Sequence, residues 1–175
     1  RRGKYRRMVA RGYDPFQPVG GTRRGRIARR VDNVQRQAEE PEPDSPAARE
    51  LRLRKEIRDA CGRHDLAEAA SKYLQLVQIA EGAVLPRQLQ LDVANQLMAS
   101  DQHAAAADAY EHFLKHHGSY EHIADIYLML GLLYSRYLHE YGRAERLLAK
   151  AVEQLDDPAK AEMARADLQR IRGRG

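Results

Sequence analysis

Cysteine is nearly missing. Cys61 is the single one in 175 residues, so no internal disulfide framework staples the chain, and the composition suits a reducing compartment such as the cytoplasm. Long apolar runs are missing as well. No stretch approaches the roughly 18 to 20 consecutive apolar residues needed to cross a bilayer, and the N-terminal region lacks the apolar core of a secretory signal. No segment alternates polar and apolar residues with period two, which removes the usual sign of a half-buried strand and points to an all-α class.

Motifs that carry chemistry are equally scarce. Gly20-Gly21-Thr22 lacks the lysine and the strand-to-helix setting of a phosphate loop. His112 and His116 stand four apart, a spacing that can bring two imidazoles to one metal, with His117 and His122 nearby. No His-Glu-x2-His arrangement or third ligand accompanies them, and they read as solvated helix-end histidines. Cys61 and His64 fall on one interhelical turn, where a free cysteine is most simply a small packing residue. Glu39-Glu40 and Asp156-Asp157 lie beside prolines, without a second partner to split their pKa values as acid/base catalysis requires. They read as a linker and a cap. No enzyme, cofactor or metal site is expected in this segment.

What is present is an ordinary globular balance, 43% hydrophobic and 31% charged, at about one domain's length. Charge is unevenly spread. Residues 1–36 carry twelve cations against Asp14 and Asp32, a net of +10, so the rest of a chain whose net charge is +5 must total −5. Within this arm, Arg1, Arg2, Lys4, Arg6, Arg7, Arg23, Arg24, Arg26, Arg29 and Arg30 are the candidate polyanion contacts. Five glycines with Pro15 and Pro18 leave no apolar periodicity over residues 1–25, and Ile27, Val31 and Val34 give at most a short, narrow-faced helix. Two partners fit such an arm. An anionic membrane surface gains about 1 kcal/mol per cation, and a transmembrane helix upstream of Arg1 would make the arm its cytoplasmic flank. RNA is the other, since arginine-rich segments neutralise phosphates and Tyr5, Tyr13 and Phe16 offer stacking rings.

Residues 37–45 form an acidic linker interrupted by Pro41 and Pro43. Helical signals follow. Ser45-Pro46 offers a cap and a first-position proline for a helix ending at Gly62, Asp65 caps a second that ends at Gly82, and Pro86 opens a third through Ala99. Asp101 is expected to cap a fourth, ending near Gly118. A fifth, over 120–137, is apolar on more than one side and should be central. A sixth spans 143–155, and Pro158 opens a seventh that stops before Gly173.

Superposing the helix pairs exposes a repeat. Its second helices carry Ala69-Tyr73-Leu76, Ala106-Tyr110-Phe113 and Ala144-Leu148-Ala151, and two of its first helices carry Val93-Ala94-x2-Leu97 and Leu130-Gly131-x2-Tyr134. Small residues let two helix backbones approach, and the larger residue four positions later fills the space beside the contact. The last of these motifs resembles the Leu-Gly-x2-Tyr signature of the tetratricopeptide family. Residues 46–172 accordingly resemble three such repeats with a C-terminal capping helix, although the repeat alanines are 37 and 38 residues apart instead of the family's 34, and the first repeat has Glu56-Ile57 in place of Leu-Gly.

The resemblance implies a right-handed α-solenoid of antiparallel helix pairs whose first helices line a concave groove that receives a peptide or helix of another protein. Its groove positions fall on Arg54, Arg58, Gln88, Leu91, Asn95, Asp125, Leu128 and Leu132. One subgroup of the family clamps a C-terminal carboxylate with cations and asparagines. Arg54 suits that role, but Arg58 and Asp92 replace asparagines, while Met129 and Asp125 replace cations. Chaperone-tail binding is not expected. A non-catalytic interaction scaffold is, at the cytoplasmic face of a membrane or, through the arm, in a ribonucleoprotein.

Overall fold

A computed structural model describes residues 44–173. The arm residues singled out above, and residues 37–43 of the linker, lie outside them. The described chain is all helical, with seven helices: α1 (Pro46–Gly62), α2 (Leu66–Ile79), α3 (Arg87–Ala99), α4 (His103–His116), α5 (Ile123–Arg136), α6 (Tyr141–Gln154) and α7 (Pro158–Arg172). None is long and apolar enough to cross a membrane.

Local chemistry sets several helix starts. Ser45 Oγ accepts from the Ala48 N–H, Asp65 from Glu68, and Asp157 from Ala159 and Lys160. Proline opens α1 and α7, where its missing N–H is no loss. Several helix ends differ from expectation; α5 begins at Ile123 instead of residue 120 and α6 at Tyr141 instead of residue 143. Helix α2 stops at Ile79, and Gly82 sits beyond it in the connecting loop with φ +73°. Asp101 does not cap α4; it has φ +57° and belongs to the turn, and Gln102 precedes the helix without a side-chain cap.

That turn recurs. His64, Asp101 and His139 each adopt a left-handed φ of 57–59° between the two helices of a pair. In each case the residue that follows donates its N–H back to a carbonyl in the last turn of the preceding helix: Asp65 to Ala60, Gln102 to Leu97 and Glu140 to Tyr134. A left-handed residue after a helix closes off its orphan carbonyls and reverses the chain. The result is three helix pairs, α1 on α2, α3 on α4 and α5 on α6. Helix α2 also meets α3, α4 meets α5, and α7 packs on α6 and α5.

The repeat alanines, tyrosines and leucines of the sequence form the core. Ala69, Tyr73, Leu76, Ala106, Tyr110, Phe113, Ala144, Leu148 and Ala151 are at most 2% exposed, as are Val93, Ala94, Leu97, Leu130 and Tyr134. In the first pair Ile57 and Ala60 take the equivalent places, fully buried. Each large apolar side chain so buried contributes roughly 1.5–3 kcal/mol. Helix α5 is the central element, buried from Leu128 and Leu130 through Ser135 and packed between α4, α6 and α7.

The buried polar side chains Gln90 and Asp167 are paired, whereas the buried Nδ1 of His103 has no hydrogen-bond partner among the described residues. Gln90 Oε1 accepts from the Leu85 N–H at 3.0 Å, while its Nε2 donates to Tyr73 Oη and to the Ala109 carbonyl, each at 3.0 Å. One amide thus ties α2, α3, α4 and the loop before α3 together. At the other end, Asp167 of α7 accepts from Arg136 Nε at 3.0 Å, Arg170 Nε at 3.0 Å and Ser135 Oγ at 3.3 Å. Burial pushes its carboxyl up, but the two guanidinium groups together outweigh that and hold it below the usual aspartate value.

Candidate binding groove

An open groove of about 340 Å³ runs along α3 and α5 and is closed at one side by α7. From α3 it takes Leu91 and Asn95, one helical turn apart on the same face. Asp125, Leu128 and Met129 come from α5, and Lys160 from α7. Tyr120 and His122, from the α4–α5 loop, complete the wall.

Each polar group is held in place from behind or from the side. Tyr110 Oη donates to Asn95 Oδ1 at 2.6 Å, which leaves the Asn95 amide NH₂ as a donor at the groove surface. Burial pushes the Tyr110 phenol up to about 12, so it remains a donor across the physiological range. Lys160 Nζ donates to Asp125 Oδ1 at 2.9 Å, and this contact holds the ammonium above its ordinary value. Tyr120 lies edge-on to Phe113 at 5.4 Å and has Arg87 over its ring at 5.5 Å. The arrangement offers an apolar floor from Leu91, Leu128 and Met129, with one amide donor and one carboxylate acceptor above it. Those are the groups that an extended peptide's backbone can use.

Leu91, Asn95, Asp125 and Leu128 are therefore brought together, and the other four predicted groove residues are not. Arg54 is engaged elsewhere: its Nε donates to Glu50 at 2.8 Å and its NH1 to the Val84 carbonyl at 2.7 Å, tying α1 to the α2–α3 loop. Arg58 is exposed on α1. Gln88 donates to Asp92 at 2.8 Å on the surface of α3, and Leu132 is buried. Tyr120, Met129 and Lys160 were missing from the predicted groove set. Tyr120 and Lys160 lie outside the repeat motif, and only the packing of loop and α7 against α5 brings them in.

The remaining candidates are distributed as follows. His112 lies 3.5 Å from Tyr73 Oη, His117 Nε2 is 3.3 Å from the Leu85 carbonyl, and His116 is exposed. Among the described residues no group of three or more histidine, cysteine or carboxylate side chains converges as a metal site would require. Cys61 is half-buried against the core, and burial, followed by the Asp92 carboxylate, raises its thiol pKa. Tyr73, Tyr110 and Tyr134 pack in the core, whereas Tyr137 is 46% exposed, its ring 3.9 Å from that of His103.

No protein-family model matches the chain, and no significant match is found among curated proteins.

Proposed function

We propose that this chain is a non-catalytic protein-interaction scaffold, a tetratricopeptide-like right-handed stack of helix pairs that receives a peptide segment of another protein in the groove between α3, α5 and α7. The observation that carries the reading is the convergence of Leu91, Asn95, Asp125 and Leu128 in one open groove. The recurring left-handed turn and the recurring buried triplets support the repeat architecture, because a unit repeated in sequence and in turn geometry stacks into a curved array with a continuous inner surface. The +10 charge of the arm supports a position beside an anionic membrane surface.

The test is selection of peptides from a random displayed library against the full chain, followed by affinity measurement with Leu91→Asp and Met129→Asp. Both substitutions put a charge on the apolar floor at partly exposed positions. Selected peptides should lose about tenfold or more in affinity, equivalent to roughly 1.4 kcal/mol. Unchanged affinity for both variants would remove this groove from the account. For the arm, co-sedimentation with anionic vesicles should be lost on deleting residues 1–36 and should resist competition by RNA; preference for RNA would move the arm to ribonucleoprotein work.

A further inference from the structure

A second groove lies on the opposite face of α5. It runs between α4 and α6 with α5 as its floor, encloses about 710 Å³, and shares no lining residue with the first. Tyr127 and Leu130 face it, whereas Asp125, Leu128 and Met129 face the other, as the helical period requires. Leu114 and Leu147 extend the apolar floor up both walls.

The rims are cationic. Lys115 on α4 and Arg143, Arg146 and Lys150 on α6 line the groove against one carboxylate, Glu111. Arg143 is already committed: it donates to Tyr134 Oη at 2.8 Å and pairs with Glu111 at 3.4 Å and Glu140 at 3.2 Å. Lys115, Arg146 and Lys150 form no ion pair among the described residues. Lys150 stands over the Tyr127 ring at 5.3 Å. Packing alone does not dictate this charge. The corresponding notch one repeat earlier, between α2 and α4, is again floored by apolar side chains, Leu74 and Val77, yet its charged residues are Glu81 and Asp108. A cluster of three cations without an ion pair among the described residues is also a local reversal, since the chain after residue 36 is net acidic.

We propose that the α4–α6 groove docks an acidic amphipathic helix of a partner protein, with its apolar stripe on the partly exposed Leu114, Tyr127 and Leu147, above the buried Leu130, and its carboxylates facing Lys115, Arg146 and Lys150. Charge complementarity sets the sign of the occupant, and the leucine floor sets its class. A phosphate backbone has no use for leucines, and the ring available for base stacking already carries a cation. The walls are helices of 14 residues each, about 21 Å long at 1.5 Å per residue, and match a partner helix of some four turns with anchors at i, i+3, i+4 and i+7. With grooves on two faces of α5, the scaffold holds two protein segments at once.

The experiment uses the full chain at about 0.15 M salt, where long-range attraction to the arm is screened. The probe is a synthetic amphipathic helix of about 18 residues with a leucine stripe and glutamates elsewhere. Arg146→Glu and Lys150→Glu should each weaken its binding about tenfold. Lys55→Glu, an equal charge change at an exposed site on α1, should leave it within about twofold. Replacing the peptide leucines with serine should also weaken binding about tenfold. Absence of binding, equal losses in Arg146→Glu and Lys55→Glu, or retained affinity of the serine peptide would each overturn the proposal. So would a single-stranded oligoribonucleotide that binds more tightly than the peptide with the same dependence on Arg146.

Discussion

Gly131 of α5 lies against Leu148 of α6 so closely that a Cβ on the glycine would stand 2.8 Å from Leu148 Cγ and 3.3 Å from the Leu148 backbone nitrogen. The glycine's value here is its missing side chain, since neither Leu148 nor its backbone has room to retreat in a fully buried contact. Gly131→Leu should destabilise the protein by about 1–3 kcal/mol or more, read as a lowered thermal midpoint. In the smaller Gly131→Ala, the cost should shrink when Leu148→Ala is added, so that the two changes together cost less than their sum. Unchanged melting of Gly131→Leu would contradict the close α5–α6 packing.

Gln90 is fully buried and makes hydrogen bonds with Leu85, Tyr73 and Ala109. Gln90→Leu keeps the volume but strips these partners, and each buried polar group left unpaired costs about 1–3 kcal/mol. Denaturant unfolding should show a loss above about 2 kcal/mol. A neutral result would mean that the α2–α4 seam depends on apolar packing alone.

The left-handed turn residues give a prediction of opposite sign. His64 and His139 carry side chains at φ 59° and 57°, where a Cβ is strained and glycine is not. His64→Gly or His139→Gly should leave the protein equally stable or raise its stability by about 0.5–1 kcal/mol, the relieved strain exceeding the added freedom of the unfolded chain. Clear destabilisation by both would show that the histidine side chains, not the turn geometry, hold these corners.

Asp167 links stability to pH. Its carboxyl is held below the ordinary aspartate value in the folded chain, so the stability it contributes is fully present above about pH 4 and is lost as pH falls through its lowered folded pKa. Asp167→Asn should cost roughly 1–3 kcal/mol at neutral pH, and its deficit relative to the unaltered chain should narrow as pH falls below about 4. Parallel pH profiles would contradict the pairing of Asp167 with Arg136 and Arg170.

The helices and their core were legible because the signals were local. Ser45-Pro46, Asp65 and Asp157-Pro158 mark helix starts by their own side-chain chemistry, and the spacing of Ala106, Tyr110 and Phe113 places all three on one buried face. Asp101 misled because aspartate suits both a cap and a left-handed turn, and only the chain reversal between α3 and α4 decides between them. The groove was half legible. Leu91, Asn95, Asp125 and Leu128 are among the positions that the resemblance to the repeat family implies, but Lys160 enters through the docking of α7, and Arg54 leaves because the Val84 carbonyl, thirty residues away, captures it. The cationic α4–α6 groove was not seen at all, since its rims are contributed by helices whose sequences are some thirty residues apart.

The central claim, that a peptide seats between α3, α5 and α7, is tested most directly by amide chemical-shift mapping of the full chain with a peptide selected from the random library. The account predicts shifts concentrated at Leu91, Asn95, Asp125, Met129 and Lys160, with the exposed face of α1 around Arg58 unmoved. Saturable shifts confined to any surface outside this groove would contradict it.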